Sequence, residues 1–334
     1  MIGASIMGPH NSHFKGKRLL VLGAGASRSF GYPLGCELLQ RIRINLPDDG
    51  SPLYKALREC GYSSAGIKSF YKELSNANVN SIDYFLDQTM KGDADFTRIG
   101  RMAIANELFN DEHKSAYRLA LPNWYHQLHK VLMESLRSGE GPTLGIVTFN
   151  YDRSLIEFFR LFRVPRADLP CGAATLTDAI PILHVHGCLG PSELKVEAVE
   201  GRAYGAPVTA KCITDGADKI KIMHELDHDH GRSMVEAKKM IEGADRVVFV
   251  GFGYDAWNLQ RLNILRGPYP VRWEGGLKYF GTAFDADSAR ISELGQLSAG
   301  HLKLEPSKVD VVSFARNGLR ERLLGQLDAE PGGE

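Results

Sequence analysis

The stretch Val21-Leu22-Gly23-Ala24-Gly25-Ala26-Ser27, directly after the basic pair Lys17-Arg18, decides the fold. An apolar run enters two closely spaced glycines and a small hydroxyl residue. This is how a parallel-sheet protein turns from strand into helix while bringing backbone N–H groups against a pyrophosphate. The common dinucleotide fingerprint has a third glycine three places after the second. That place holds Arg28, and Glu37 comes too early to be an acidic ribose reader about twenty residues on, which disfavours a nicotinamide-dependent dehydrogenase.

Outward from this turn, Arg18 to Leu22 reads as a buried first strand and Pro33 as the approach to a helix carrying Leu34, Leu38, Leu39 and Ile42. From Ser51 to Arg137 the pattern is helical. Ile67, Phe70 and Leu74 share a face, Ser81 can cap a helix with Ile82, Phe85 and Leu86, and an apolar stripe runs from Trp124 to Leu136. The stripe reads as a core face; the alternative is a surface for a partner. Strands then return at Leu144 to Thr148, Ile182 to Val185, Arg246 to Val250, Leu277 to Ala283 and Val309 to Val312, with helices at Val235 to Ile241 and Ala256 to Leu265. Strands alternating with helices predict an α/β fold with a doubly wound, mostly parallel, Rossmann-like sheet. The expected organisation is a loose tail over 1–17 and a single domain over 18–328. A helical insertion occupies about 48–140 and an irregular excursion about 188–230.

Composition narrows the class. Forty basic residues balance forty acidic ones, so net charge does not indicate nucleic acid as a partner. No apolar run reaches the roughly 18–20 residues that span a bilayer. The start of the chain lacks the charged and apolar regions of a signal peptide. The five cysteines, Cys36, Cys60, Cys171, Cys188 and Cys212, include no Cys-x-x-Cys pair, which predicts reduced thiols in a cytoplasmic protein and no cysteine zinc ribbon. His224, His228 and His230, with Glu225, Asp227 and Asp229, match no zinc spacing and read as a solvated acidic helix end.

In a parallel sheet, ligands sit at the carboxyl ends of the strands. Four such ends carry polar chemistry. Gly23 to Ser27 offers backbone donors and a hydroxyl. Thr148-Phe149-Asn150-Tyr151-Asp152 offers an amide suited to a ribose edge or a water, while Asp152 reads equally as a helix cap. His184-Val185-His186-Gly187 ends with His186 where a general base would stand, His184 reading as structural. Gly251-Phe252-Gly253-Tyr254-Asp255 again permits close backbone approach, with Asp255 a cap for the helix that follows.

In this order the four segments resemble the sirtuin family, whose pattern is Gly-Ala-Gly-x-Ser, Thr-x-Asn-x-Asp, His-Gly and a strand ending in glycines. The likeness spans about Arg18 to Ala283. The departures point within the family. Gly31-Tyr32-Pro33-Leu34-Gly35-Cys36 lacks the Asp and Arg of deacetylating members, Phe149 replaces a Gln, and only Cys188 and Cys212 lie where four zinc cysteines would fall. The chain is thus similar to the zinc-free branch that hydrolyses NAD+ in bacterial anti-phage defence. Gly251 to Asn258 and the helical insertion also suit that branch.

The resemblance implies an NAD+ nucleosidase that releases nicotinamide and ADP-ribose. NAD+ is its substrate, and no metal or further cofactor is implied. Ala24, Gly25 and Ser27, with Gly23, would hold the pyrophosphate, and Thr148 and Asp152 would belong to the same NAD+ site. Gly251 and Gly253 would border the adenosine ribose and Asp285 the adenine end. Asn150 would orient the ribose hydroxyls or the attacking water, and His186 would be the general base. An enzyme that drains NAD+ needs restraint, so a homo-oligomer, a partner protein or a small signal is expected. The alternatives are a silent NAD-binding sensor subunit, an ADP-ribosyltransferase or a deacylase.

Overall fold

The structure, a computed structural model, describes residues 17–88, 93–137, 144–162, 164, 168–169, 173, 175–190, 202–222, 232–264, 279–284, 286–298, 302–306 and 308–324. Six strands form one sheet: β1 (Lys17–Leu22), β2 (Leu144–Thr148), β3 (Ile182–His184), β4 (Ala244–Val250), β5 (Tyr279–Gly281) and β6 (Leu302–Leu304). Their order is β3-β2-β1-β4-β5-β6 and every pairing is parallel. The chain builds outward from β1 to β3, returns to lay β4 on the other side of β1, and builds outward again. The reversal between β1 and β4 makes their carboxyl ends the topological switch point, where such sheets bind ligands.

Both faces of the sheet are covered, which is why its strands read as continuous apolar runs. Leu20, Leu22, Ile146, Val248 and Val250 face the insertion and pack in one core with Phe70, Phe85, Trp124, Leu132 and Phe158. Leu19, Val21, Val147, Val247 and Phe249 face the other way, against Met234, Ala237, Met240 and Ile241 of the helix Arg232–Gly243.

The insertion is built from the helices Pro52–Glu59, Ser64–Asn76, Ile82–Gln88, Ala94–Ala120 and Trp124–Arg137. Its starts are capped by short polar side chains: Ser51 Oγ accepts from Tyr54 N–H at 3.0 Å and Asp93 Oδ1 from Phe96 N–H at 2.9 Å. The stripe from Trp124 faces inward, with Trp124, Leu128 and Leu132 buried and the Trp124 indole N–H donating to Ala26 O at 2.8 Å. The insertion therefore props the glycine turn from beneath.

Two expectations are corrected. The sixth strand is not Val309 to Val312 but Leu302–Leu304, which pairs with β5. Val311–Asn317 is a helix because Asp310 Oδ1 accepts from Ser313 N–H at 2.7 Å and Phe314 and Ala315 turn into the core; the cap and the burial override the β-branched run. The excursion after Cys188 is not irregular throughout. Ala210–Ala217 is a helix, started by Thr209 Oγ1 accepting from Cys212 N–H at 3.3 Å and packed by Ile213 and Ala217. No helix among the described residues is long and apolar enough to cross a membrane.

A buried ion cluster joins insertion, β2 loop and excursion. Glu112, 1% exposed, accepts from Arg153 Nε at 2.8 Å and Arg153 Nη2 at 2.7 Å. It also pairs with Arg202 Nη1 and accepts from Gly205 N–H at 3.1 Å. Arg153 Nη1 donates to Arg202 O at 2.9 Å, so the segment after residue 201 is pinned to the core.

Candidate active site

At the switch point the two glycine loops meet backbone to backbone. Gly23 N–H donates to Val250 O at 3.1 Å and Gly25 N–H to Gly251 O at 2.9 Å. A Cβ on Gly23 would lie 2.6 Å from Gly251 O and one on Gly25 2.8 Å from Gly251 Cα. Gly251 itself has φ +60°, and a Cβ there would overlap the backbone nitrogen of Ala26. These glycines are thus required first by each other. Ala24 and Gly25 stay partly exposed, Ser27 is buried, and Gly253 is exposed with open space around its Cα.

The β2 end braces this junction. Phe149 N–H donates to Leu22 O and Asn150 N–H to Thr148 Oγ1, so the chain continues along β1 beyond its last strand residue. Asn150 Nδ2 then donates to Gly23 O at 2.9 Å and to Ser27 Oγ at 3.1 Å. The opposite atom of that amide, Oδ1, is buried and has no partner among the described residues. Asp152, 7% exposed, serves two sides: Oδ1 accepts from Ser154 N–H at 3.0 Å and from the Ser154 hydroxyl, whose oxygen also bonds the Tyr125 hydroxyl, and its carboxylate also accepts from the Ser27 hydroxyl of the glycine turn. Burial raises the proton affinity of its carboxyl. Asp152 shapes the start of the helix Ser154–Leu161.

The β3 end supplies His186. Val185 N–H donates to Thr148 O, and Lys221 N–H donates to His186 O at 2.9 Å. Gly187 follows with φ +78°, where a Cβ would overlap Lys219 O; the sharp turn is what strips His186 out of the strand. The imidazole is 7% exposed and packs edge-on to the Phe149 ring at 5.6 Å and tilted to the Tyr151 ring at 5.7 Å. Phe149 in turn touches Phe252 at 5.2 Å, so the floor under His186 is aromatic. His186 Nδ1 is buried and has no partner among the described residues. Burial pushes the His186 pKa below the usual imidazole range; Asp83 opposes that shift and Arg261 adds to it. His184 is only half-buried, and its Nδ1 lies 3.4 Å from Asn150 O, linking the β2 and β3 ends.

The β4 and β5 ends form a fixed rim. Gly251 N–H donates to Thr282 Oγ1 at 2.9 Å, the Tyr254 hydroxyl to Thr282 O at 2.9 Å, and Arg290 Nη2 to Tyr254 O at 2.7 Å. Asp255 accepts from Asn258 N–H, capping Ala256–Arg261.

The structure therefore gathers Gly23, Gly25, Ser27, Thr148, Asn150 and Gly251 into one contact set, with Ala24 between the two glycines, Asp152 joined through Ser27, and His186 joined through Phe149, Tyr151 and His184. Gly253 stands apart on the exposed β4 loop. Asp285, Cys171 and the histidines at 224, 228 and 230 lie outside the described residues. No group of three or more metal-ligating side chains occurs among the described residues. Sequence reasoning passed over Tyr151 and Asp83, whose side chains meet when the Tyr151 hydroxyl donates to Asp83 Oδ1. Tyr151 sits inside a motif already singled out, whereas Asp83 reads simply as a first-turn acid of Ile82–Gln88.

No family model matches this sequence, and no curated protein matches it. Among solved structures, a Sir2 homologue mutant in complex with ADP ribose is similar at 14% identity, with a TM-score of 0.37, covering 90% of this chain and 91% of that one.

Proposed function

We propose that this chain binds NAD+ across the β1/β4 switch point and hydrolyses the bond between nicotinamide and ribose. One observation carries the reading: Asn150 Oδ1 and His186 Nδ1 are both buried, both unpartnered among the described residues, and both at neighbouring strand ends beside the glycine junction. Leaving such an atom unsatisfied costs about 1–3 kcal/mol each. Native folds keep few such atoms, and a catalytic or ligand-binding role is one of the reasons they do.

The chemistry fits those two atoms. Nicotinamide leaves NAD+ as a neutral base, so the transition state is oxocarbenium-like and needs a fixed ribose and a delivered water more than an acid. Asn150, its amide locked by Gly23 O and Ser27 Oγ, presents Oδ1 to a ribose hydroxyl or to the water. His186, held neutral by burial, accepts the proton as water adds to the ribose carbon. Ala24, partly exposed beside Gly25, faces the pyrophosphate, with Thr148 and Asp152 holding the β2 loop in place and Gly251 and Gly253 bordering the adenosine ribose. The wider role is that of the NAD-depleting effector of anti-phage defence, restrained until triggered.

Purified protein is incubated with NAD+, with and without candidate partners, and the products are separated by chromatography. Release of nicotinamide with ADP-ribose is the expected result. His186→Ala and Asn150→Ala should each slow it by about 10²–10⁴-fold, the span for a positioned base. Nicotinamide release that is unchanged in both variants overturns the reading. A silent NAD-binding subunit is the second reading, favoured by the structural use of the Gly23 and Gly25 N–H groups. It predicts NAD-dependent melting without nicotinamide.

A further inference from the structure

We propose that Asp83, carried by the helical insertion, is a positioning residue for His186 and acts through the ring of Tyr151. The proposal rests on the reading of His186 as the general base and names a further member of that site.

The imidazole of His186 has no hydrogen bond at Nδ1 among the described residues. A catalytic histidine is ordinarily oriented through its second nitrogen by a carboxylate or carbonyl. Here a backbone hydrogen bond with Lys221 is joined by aromatic packing. Phe149 and Tyr151 flank Asn150 in the chain and present their rings to the imidazole at 5.6 Å and 5.7 Å. The Phe149 ring is fixed by the apolar face of the sheet, against Phe252. The Tyr151 ring belongs to the opposite face and is fixed by its hydroxyl, which donates to Asp83 Oδ1 across 68 residues of chain.

Asp83 is itself immobilised. It stands in the first turn of Ile82–Gln88, where Ser81 Oγ accepts from Tyr84 N–H and where Ile82, Phe85 and Leu86 are fully buried. The rigid path runs from insertion core to Asp83, to the Tyr151 hydroxyl, to the imidazole. Two charged groups act on His186: Asp83 from the insertion and Arg261 from the helix after β4. Lys221 adds a backbone hydrogen bond that favours the protonated ring. Asp83 therefore also favours the proton that His186 takes up during the reaction.

Three variants of the full chain separate tether from charge. Asp83→Ala and Tyr151→Phe remove the hydrogen bond, and each should lower kcat about ten- to hundredfold with little change in KM, the scale of a small misplacement of a catalytic group. Asp83→Asn keeps an acceptor for the Tyr151 hydroxyl and restores kcat near its optimum. It removes the charge, so His186 should titrate at lower pH, both in the acid limb of kcat and by NMR of the imidazole without NAD+. A kcat unchanged in Asp83→Ala overturns the proposal. So does a His186 titration that is identical in Asp83→Asn and the unaltered protein. If the unaltered protein releases no nicotinamide with or without candidate partners, the NAD+ reading fails by itself, and the NMR titration alone decides whether Asp83 acts on His186.

Discussion

Gly251 shows how a residue chosen for function by its type turns out to be needed for construction. Its φ of +60° and the overlap of any Cβ with Ala26 leave no room for a side chain. Gly251→Ala should therefore destabilise the fold by more than about 2 kcal/mol, combining left-handed strain with a backbone clash; a shifted urea midpoint at unchanged slope is the measurement. His186 makes a prediction of opposite character. Burial depresses its folded-state pKa, so below the ordinary imidazole value of ~6.5 the unfolded chain binds the proton more readily than the native one. Its contribution to stability is present above that value and is lost as pH falls. The stability difference between pH 7.5 and pH 5 should shrink in His186→Gln, read as urea midpoints at the two pH values. For the same reason the proposed NAD+ hydrolysis should stay flat above neutrality and decline on the acid side. The residue types at both positions were legible in the chain; the clash at Gly251 and the burial of His186 were not, because each depends on what another strand end places nearby.

Among the elements, the helical insertion decides most. It covers one face of the sheet, supports the glycine turn through Trp124 and delivers Asp83 to the β2 loop. A third tie to the rest runs through Glu112, whose carboxylate serves Arg153 and Arg202 together. Glu112→Gln leaves two buried guanidinium groups short of their counter-charge and should cost about 3–5 kcal/mol, as other broken buried pairs do. Differential scanning calorimetry reads that loss, and proteolysis after residue 201 should accelerate with it. Element type was mostly legible. Ser51, Ser63, Ser81 and Asp93 each cap a helix, and the buried strands read as apolar runs. Val309 to Val312 misleads because Asp310 caps and Phe314 buries, so a β-branched run becomes the first turn of a helix.

At the scale of the whole molecule, the order β3-β2-β1-β4-β5-β6 brings four separately encoded strand ends to one edge. A ligand that bridges the two halves of the sheet binds the native state alone, so NAD+ at about a hundred times its Kd should add about 2.7 kcal/mol of stability. A rise in melting temperature with NAD+ and ADP-ribose, and none with nicotinamide alone, is the expected pattern. The sequence by itself determined the alternation of strands and helices, the helical insertion and the polar residues at each strand end, because periodicity, caps and turns act within a few residues. Only the tertiary structure decided that Asn150 reaches Gly23 across 127 residues, that Gly25 and Gly251 share one junction, and that Asp83 stands behind Tyr151. Those contacts rest on strand order and on which groups burial leaves without water, and neither quantity exists until the chain is folded.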